Sequence, residues 1–302
     1  MEEGDVLALL GPSGGGKTTL IKCIYGLEDL SSGEISFYNK NVLGPAFNIM
    51  PGHPDMKLVS QDYYVLDNHS VEENIKDILI GYTDEYKEKR SAKLLKLLEL
   101  NSLKHLRAKN LSSGQKQRVA IARALASFPK LLLLDEPFSN LDKILRDKLF
   151  DFILREVQKK HSSVILVTHQ AEEALKYAER VGVVVDGKIA QLDSKEKVYY
   201  HPKNVKIAKI MGDYNIVSAK EFETNSKLKK GEKKVLLRPN QFEFLDSKKG
   251  ADLVVVYHNH FFNGKCYEVL AETRSGTQII AYSAGVPNVK NNLFLKVNLY
   301  VS

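Results

Sequence analysis

Nine consecutive residues, Gly11, Pro12, Ser13, Gly14, Gly15, Gly16, Lys17, Thr18 and Thr19, have the types and order needed to grip a chain of phosphates. Glycines let backbone N–H groups curl around an anion with no Cβ in the way. Lys17 can then reach the outer phosphates, and the Thr18 hydroxyl can ligate Mg²⁺. This chemistry needs a strand before the loop and a helix after it, so that the positive end of the helix dipole faces the anion. The apolar run Val6, Leu7, Ala8, Leu9, Leu10 supplies the strand, and residues 20–25 have the apolar content of the helix. A glycine turn that binds nothing is the bland alternative; the Lys-Thr pair in register with those flanks argues against it.

A second set of reactive residues stands at the ends of other apolar runs. Asp135 and Glu136 follow four leucines, Leu131 to Leu134, and His169 follows the run 164–167 and Thr168. Continuous apolar runs of this length are expected for parallel strands buried on both faces, and ligands in such sheets bind beyond the carboxyl ends of the strands. There an aspartate can hold Mg²⁺ and the neighbouring glutamate can polarise an attacking water, while an imidazole can contact a terminal phosphate. Ser112, Ser113, Gly114 and Gln115 precede a predicted helix through Ala126 and have the form of an N-cap, a further anion site made of a hydroxyl and backbone donors.

The intervening segments supply the frame. Residues 34–38 read as a short strand, 43–56 as a proline- and glycine-rich loop, and about 71–106 as helical, with apolar residues at helical spacing in 93–98. Residues 182–189 read as a hairpin turning at Asp186 and Gly187. Past about Asp213 the pattern changes to short strands near 235–237, 253–256, 278–280 and 293–295, which predicts a small all-β barrel or sandwich. The fold class expected is therefore α/β followed by all-β, with domains at 1–213 and 214–302 and a helical subdomain near 71–127.

Bulk properties narrow the function classes. The chain has 302 residues, 43% hydrophobic and 27% charged, as in an ordinary globular protein. No apolar run approaches the roughly 18 residues of a membrane span, and the acidic start Met1, Glu2, Glu3 is the wrong leader for secretion. Two cysteines, Cys23 and Cys266, suggest neither a disulfide framework nor a zinc site, and fit a reducing cytosol. The net charge of +7 includes lysine pairs at 229–230, 233–234 and 248–249 with no interleaved aromatics, so these read as solvated surface and not as a nucleic-acid site.

Taken in order, these motifs resemble the ATP-binding-cassette (ABC) ATPases: the phosphate loop, LVSQD with Gln61, LSSGQKQR with Ser112 to Gln115, LLLLDEP with Asp135 and Glu136, SNLD ending at Asp142, and VTH ending at His169. The resemblance covers essentially the whole chain. It implies ATP and Mg²⁺ as ligands, with Thr18, Gln61 and Asp135 at the metal and Glu136, His169 and Gln61 in hydrolysis. It also implies a head-to-tail homodimer in which residues 11–19 of one copy face Ser112, Ser113, Gly114, Gln115 and Asp142 of the other. The stretches 136–149, 168–175 and 198–215 and the run Leu237, Arg238, Pro239, Asn240 look like the importer branch with an oligonucleotide-binding-like (TOBE) regulatory domain. That branch implies a separate integral-membrane permease, a periplasmic or lipoprotein solute-binding protein, and a peripheral position on the cytoplasmic face of the inner membrane. The solute would be iron(III), a polyamine, a sugar or an oxyanion, with residues 261–270 slightly favouring iron(III).

Two departures stand out. Ser113 replaces the first glycine of the usual LSGGQ, at a cost of roughly 1–2 kcal/mol if that position needs positive φ. Only ten residues precede Gly11, so the first strands of the family's core and its adenine-stacking aromatic are expected to be missing from this numbering. Soluble chromosome or repair ATPases would carry coiled-coil insertions, translation-associated proteins two cassettes, and a P-loop kinase no reason to keep 111–115, 139–142 and His169 together.

Overall fold

The computed structural model describes residues 1–223, 233–286 and 292–299; the lysine pair 229–230 lies outside them. The chain divides into two compact units, Met1–Lys195 and Glu196–Ser302.

The first unit is built on β1 (Val6–Leu10), β2 (Ser36–Phe37), β3 (Lys40–Asn41), β4 (Met56–Val59), β5 (Leu131–Asp135), β6 (Ser163–Thr168), β7 (Arg180–Val185) and β8 (Lys188–Ser194). Six of these form one sheet in the order β4-β5-β6-β1-β7-β8, parallel except for β8. The leucines of β5 are buried on both faces, as are Val164, Leu166 and Val167 of β6, which is why those segments read as unbroken apolar runs. Register fixes what lies at the sheet's carboxyl edge. Leu10 is paired with Thr168, and Asp135 with Val167, so the chain leaves β1, β5 and β6 at the same level. The antiparallel hairpin β7–β8 turns at Asp186 and Gly187, both at positive φ, as the Asp-Gly pair requires.

Helices α1 (Lys17–Tyr25), α2 (Val71–Asp77), α3 (Asp84–Leu97), α4 (Ser113–Ala126), α5 (Lys143–Lys160) and α6 (Ala171–Tyr177) complete this unit. The helical region expected over 71–106 resolves into α2, α3 and a single 3₁₀ turn at Asn101–Leu103. Ile75, Leu94, Leu95, Leu98, Val119 and Leu125 are buried. The buried Arg90 of α3 closes the end of α4, donating from Nε to the Ala126 carbonyl and from Nη2 to that of Leu125, and pairing with Glu156 at 3.0 Å. The strand read at 34–38 is shorter than expected. Only Ser36 and Phe37 pair, with Asn41 and Lys40, because Tyr38 and Asn39 turn back at φ 48 and 58°, the left-handed pair of a two-residue hairpin turn.

The second unit carries α7 (Lys195–Tyr200, its first residue belonging to the first unit), α8 (Val205–Ile210), β9 (Asn215–Ser218), β10 (Lys234–Leu237), β11 (Phe242–Leu245), β12 (Leu253–Phe262), β13 (Tyr267–Thr273), β14 (Gln278–Ser283) and β15 (Asn292–Val297). A five-stranded antiparallel sheet, β11-β15-β12-β13-β14, shares one apolar core with the β9–β10 ladder. The buried Asn215 joins the two: its amide donates to the Ile280 carbonyl at 2.8 Å and accepts the Ile280 N–H at 2.7 Å. The core of this unit is all-β, as expected.

Arg238 explains why residues 196–213 pack with the strands. It is fully buried and donates to the carbonyls of Tyr199, Ala208, Gly212 and Asp213 at 2.8–3.1 Å, with its guanidinium over the Tyr199 ring. Replacing it with Met would take this donor from all four carbonyls at once and leave Ala208 only the Met211 N–H. The expected loss is at least about 2 kcal/mol of stability, read as a lower denaturation midpoint; an unchanged midpoint would contradict the assignment.

Candidate nucleotide-binding site

The glycines of the 11–19 loop do separate jobs. A Cβ on Gly11 would stand 2.2 Å from the Val184 carbonyl oxygen, so the loop can leave β1 beside β7 only with no side chain there. Gly14 and Gly16 sit at φ 75 and 94°, a region that other residues avoid. Gly16 is also the N-cap of α1, and no side chain caps that helix start. The first N–H groups of α1 therefore point out of the loop as donors for an anion.

Lys17 lies inside this cradle, 5% exposed, donating from Nζ to the carbonyls of Gly11 at 2.9 Å and Pro12 at 2.8 Å. Burial pulls its ammonium below the usual lysine range, against the opposing pull of Glu136 and Asp135. Asp135 is pushed the other way: burial raises its carboxyl pKa, the Thr18 hydroxyl lowers it, and the neighbouring Glu136 raises it again. Among the described residues the Oδ1 of Asp135 has no hydrogen-bond partner although it is buried. A threonine hydroxyl beside an orphaned carboxylate oxygen is the donor set a hard divalent cation takes, usually with phosphate and water completing it. The residues present therefore fit Mg²⁺.

Glu136 follows in the left-handed region, at φ 49°, its N–H donated to the Val167 carbonyl at 3.0 Å. That turn aims the carboxylate along the sheet edge, where Oε1 lies 3.2 Å from Nδ1 of the half-exposed His169. Gln61 is exposed in the turn after β4. Because Val59 is paired with Leu134, it leaves the sheet beside Asp135. The sheet thus gathers Lys17, Thr18, Gln61, Asp135, Glu136 and His169 at one edge.

Ser112, Ser113, Gly114 and Gln115 form the capped start of α4. Ser112 caps α4 reciprocally with Gln115, its Oγ accepting the Gln115 N–H and its own N–H donating to Gln115 Oε1. Among the described residues no hydrogen bond or ion pair joins these four to the 11–19 loop. Asp142 likewise caps α5, accepting the Leu145 N–H at 2.9 Å, which together with other backbone donors holds its carboxyl below the usual range.

The strain expected at Ser113 is absent. Ser113 is the first residue of α4 and is not among the residues at positive φ; the cap at Ser112 starts the helix one residue earlier than a left-handed Ser113 would allow.

Sequence reading missed the bonds that fasten these motifs together. The buried Gln117 of α4 donates to the Pro137 carbonyl at 2.8 Å and approaches Ser139 Oγ at 3.4 Å. Tyr63, two residues past Gln61, shares a hydrogen bond with the same Ser139 hydroxyl at 3.2 Å. A glutamine in the apolar stripe of α4, between Gly114 and Val119, was the one available signal.

A strand–loop–helix cradle with an internal lysine and an acidic pair at the adjacent strand end defines a nucleoside-triphosphate-binding α/β domain. The sequence pattern of the ABC transporter family matches residues 1–139. The chain is 30% identical over 308 residues to the Fe(3+) ions import ATP-binding protein FbpC 2 of Haemophilus influenzae, covering 96% of this chain and 84% of that protein. It is 34% identical over 295 residues to the spermidine/putrescine import ATP-binding protein PotA of Clostridium novyi, covering 90% and 82%. It is 32% identical over 290 residues to the sulfate/thiosulfate import ATP-binding protein CysA of Synechocystis sp., covering 93% and 80%. Among solved structures, a dimeric post-hydrolysis state of the ATP-binding cassette MJ0796 bound to ADP and Pi superposes with a TM-score of 0.56 at 28% identity, covering 65% of this chain and 87% of that one. The chain belongs to the ABC transporter family, as an importer-type ATP-binding subunit, and is an ATPase.

Because Ser113 already has helical geometry, Ser113→Gly relieves nothing. At the first helical position it is expected to cost no more than about 0.5 kcal/mol of helix stability and to leave ATP hydrolysis no faster; a clear acceleration would restore the strain explanation.

Proposed function

We propose that this chain hydrolyses ATP within a head-to-tail homodimer and so drives uptake through a separate membrane permease. The observation that carries the reading is the meeting of Lys17, Asp135, Glu136 and His169 at one sheet edge, while among the described residues no hydrogen bond or ion pair joins Ser112–Gln115 to the 11–19 loop. The loop 11–19 and the start of α1 bind the phosphates of ATP, and Lys17 exchanges its two carbonyl partners for phosphate oxygens. Thr18, Asp135 and Gln61 would hold Mg²⁺, which would supply positive charge against the phosphates. Glu136 polarises the attacking water, and His169, steadied by Glu136, contacts the γ-phosphate. Ser112, Ser113, Gly114, Gln115 and Asp142 face the nucleotide of the partner copy. The dimeric neighbour supports a two-copy assembly.

The cassette proper runs to about residue 213, with its helical subdomain at about 71–127, and the barrel-like region from 214 onwards is regulatory. The relatives' import roles support a separate permease, and we add a periplasmic or lipoprotein solute-binding protein upstream of it. We also put the chain peripherally at the cytoplasmic face of the inner membrane; no described helix is long and apolar enough to cross a membrane. Those relatives name iron(III), spermidine or putrescine, and sulfate or thiosulfate. The solute is of one of these classes or a sugar, iron(III) slightly favoured.

Glu136→Gln keeps the size and the backbone tether of the side chain and removes its basicity. Nucleotide binding should persist while turnover falls by about 10²–10⁴-fold, and an ATP-bound dimer should accumulate. Turnover at the wild-type rate would remove Glu136 from the reaction.

A further inference from the structure

His169 stands between two residues that are pinned, and the pin leads to a distant loop. The Thr168 hydroxyl donates to Oε2 of Glu173 at 2.6 Å and accepts the Gln170 N–H at 3.0 Å, so both neighbours of His169 are fixed through one oxygen. The other oxygen of Glu173 accepts from Nη1 of Arg146 at 2.8 Å. Arg146, in the first turn of α5, also donates from Nη2 to the Leu141 carbonyl at 3.3 Å, while its own N–H closes the first helical turn on the Asp142 carbonyl. Glu173 is 5% exposed. A buried ion pair often stabilises no better than apolar residues of the same volume; what Arg146 and Glu173 add is direction, two bonds to one loop and one to one strand end.

We propose that Arg146 and Glu173 are positioning residues that lock the 139–142 loop and the Thr168–His169 strand end into one register, so that seating a second copy against the loop sets the place of His169. This rests on the dimeric ATPase reading above. Asp142 is predicted to face the partner's nucleotide, and the only covalent route from it to His169 runs through all of α5 and β6. The Arg146–Glu173–Thr168 chain shortens that route to three side chains, all on rigid elements.

The test is a double-mutant cycle on the full chain, with kcat and KM for ATP measured by single- and multiple-turnover hydrolysis. Glu173→Gln keeps the shape of the side chain and weakens its bond to Arg146. The expected result is a kcat lower by about 10-fold or more, a misplacement effect, with KM changed by less than about twofold. In a His169→Ala background the same substitution should change kcat by less than about twofold, because its effect acts through His169. Thr168→Val, which exchanges the hydroxyl for a methyl group of similar size, should behave the same way and carries the test if Glu173→Gln prevents folding. Equal losses in both backgrounds, a rise in KM alone, or wild-type kcat in both variants would overturn the proposal. A wild-type chain that hydrolyses no ATP would overturn the functional reading, and this inference with it.

Discussion

The segment from Glu136 to Asp142 is the fastening point of the catalytic half. Its first residue is tied to β6 through the Val167 carbonyl, and its last caps α5. Between them, Pro137 and Ser139 take the amide of Gln117 from α4, Ser139 shares a hydrogen bond with the hydroxyl of Tyr63 near Gln61, and the Leu141 carbonyl takes the guanidinium of Arg146. Motifs scattered from residue 61 to residue 169 are therefore referred to one short stretch of backbone. A segment bonded at so many points cannot drift by small amounts; it moves with its neighbours or not at all, the behaviour expected of a switching element in a close-packed protein.

Electrostatics at the sheet edge adds a second constraint. Lys17 is drawn inward, two adjacent carboxylates stand opposite it, and burial disfavours the charged forms of both Lys17 and Asp135. The arrangement is costly by itself and becomes favourable when an anionic nucleotide and a divalent cation supply the missing partners. Such a site lowers its own energy by binding.

Much of this was legible in the sequence because the chemistry is local. A phosphate loop needs its glycines, lysine and threonine within a few residues, and a parallel strand buried on both faces announces itself as four leucines before Asp135. What escaped depends on contacts between distant residues. Tyr63 and Ser139 are 76 positions apart, Arg146 and Glu173 27, and nothing in either neighbourhood marks the other. The conformation of Ser113 escapes for a related reason: whether it needs positive φ is decided by where α4 starts, and the capping pair Ser112–Gln115 settles that. Composition shifts near residue 213, yet compactness divides the chain at Lys195: α7 and α8 bury Val198, Ile207 and Ala208, and Arg238 binds the carbonyls of Tyr199, Ala208, Gly212 and Asp213 to the strands.

The central claim is that each working site is shared, the phosphate cradle coming from one copy and the capped start of α4 from another. Mixing two inert variants tests it most directly: Lys17→Ala, which disables the cradle, and Ser112→Arg, which blocks the helix start. In a mixed dimer one site carries both lesions and the other carries none, so hydrolysis absent from each variant alone should return on mixing. If the mixture stays as inert as its components while each binds its partner, the sites are not shared and the account is wrong.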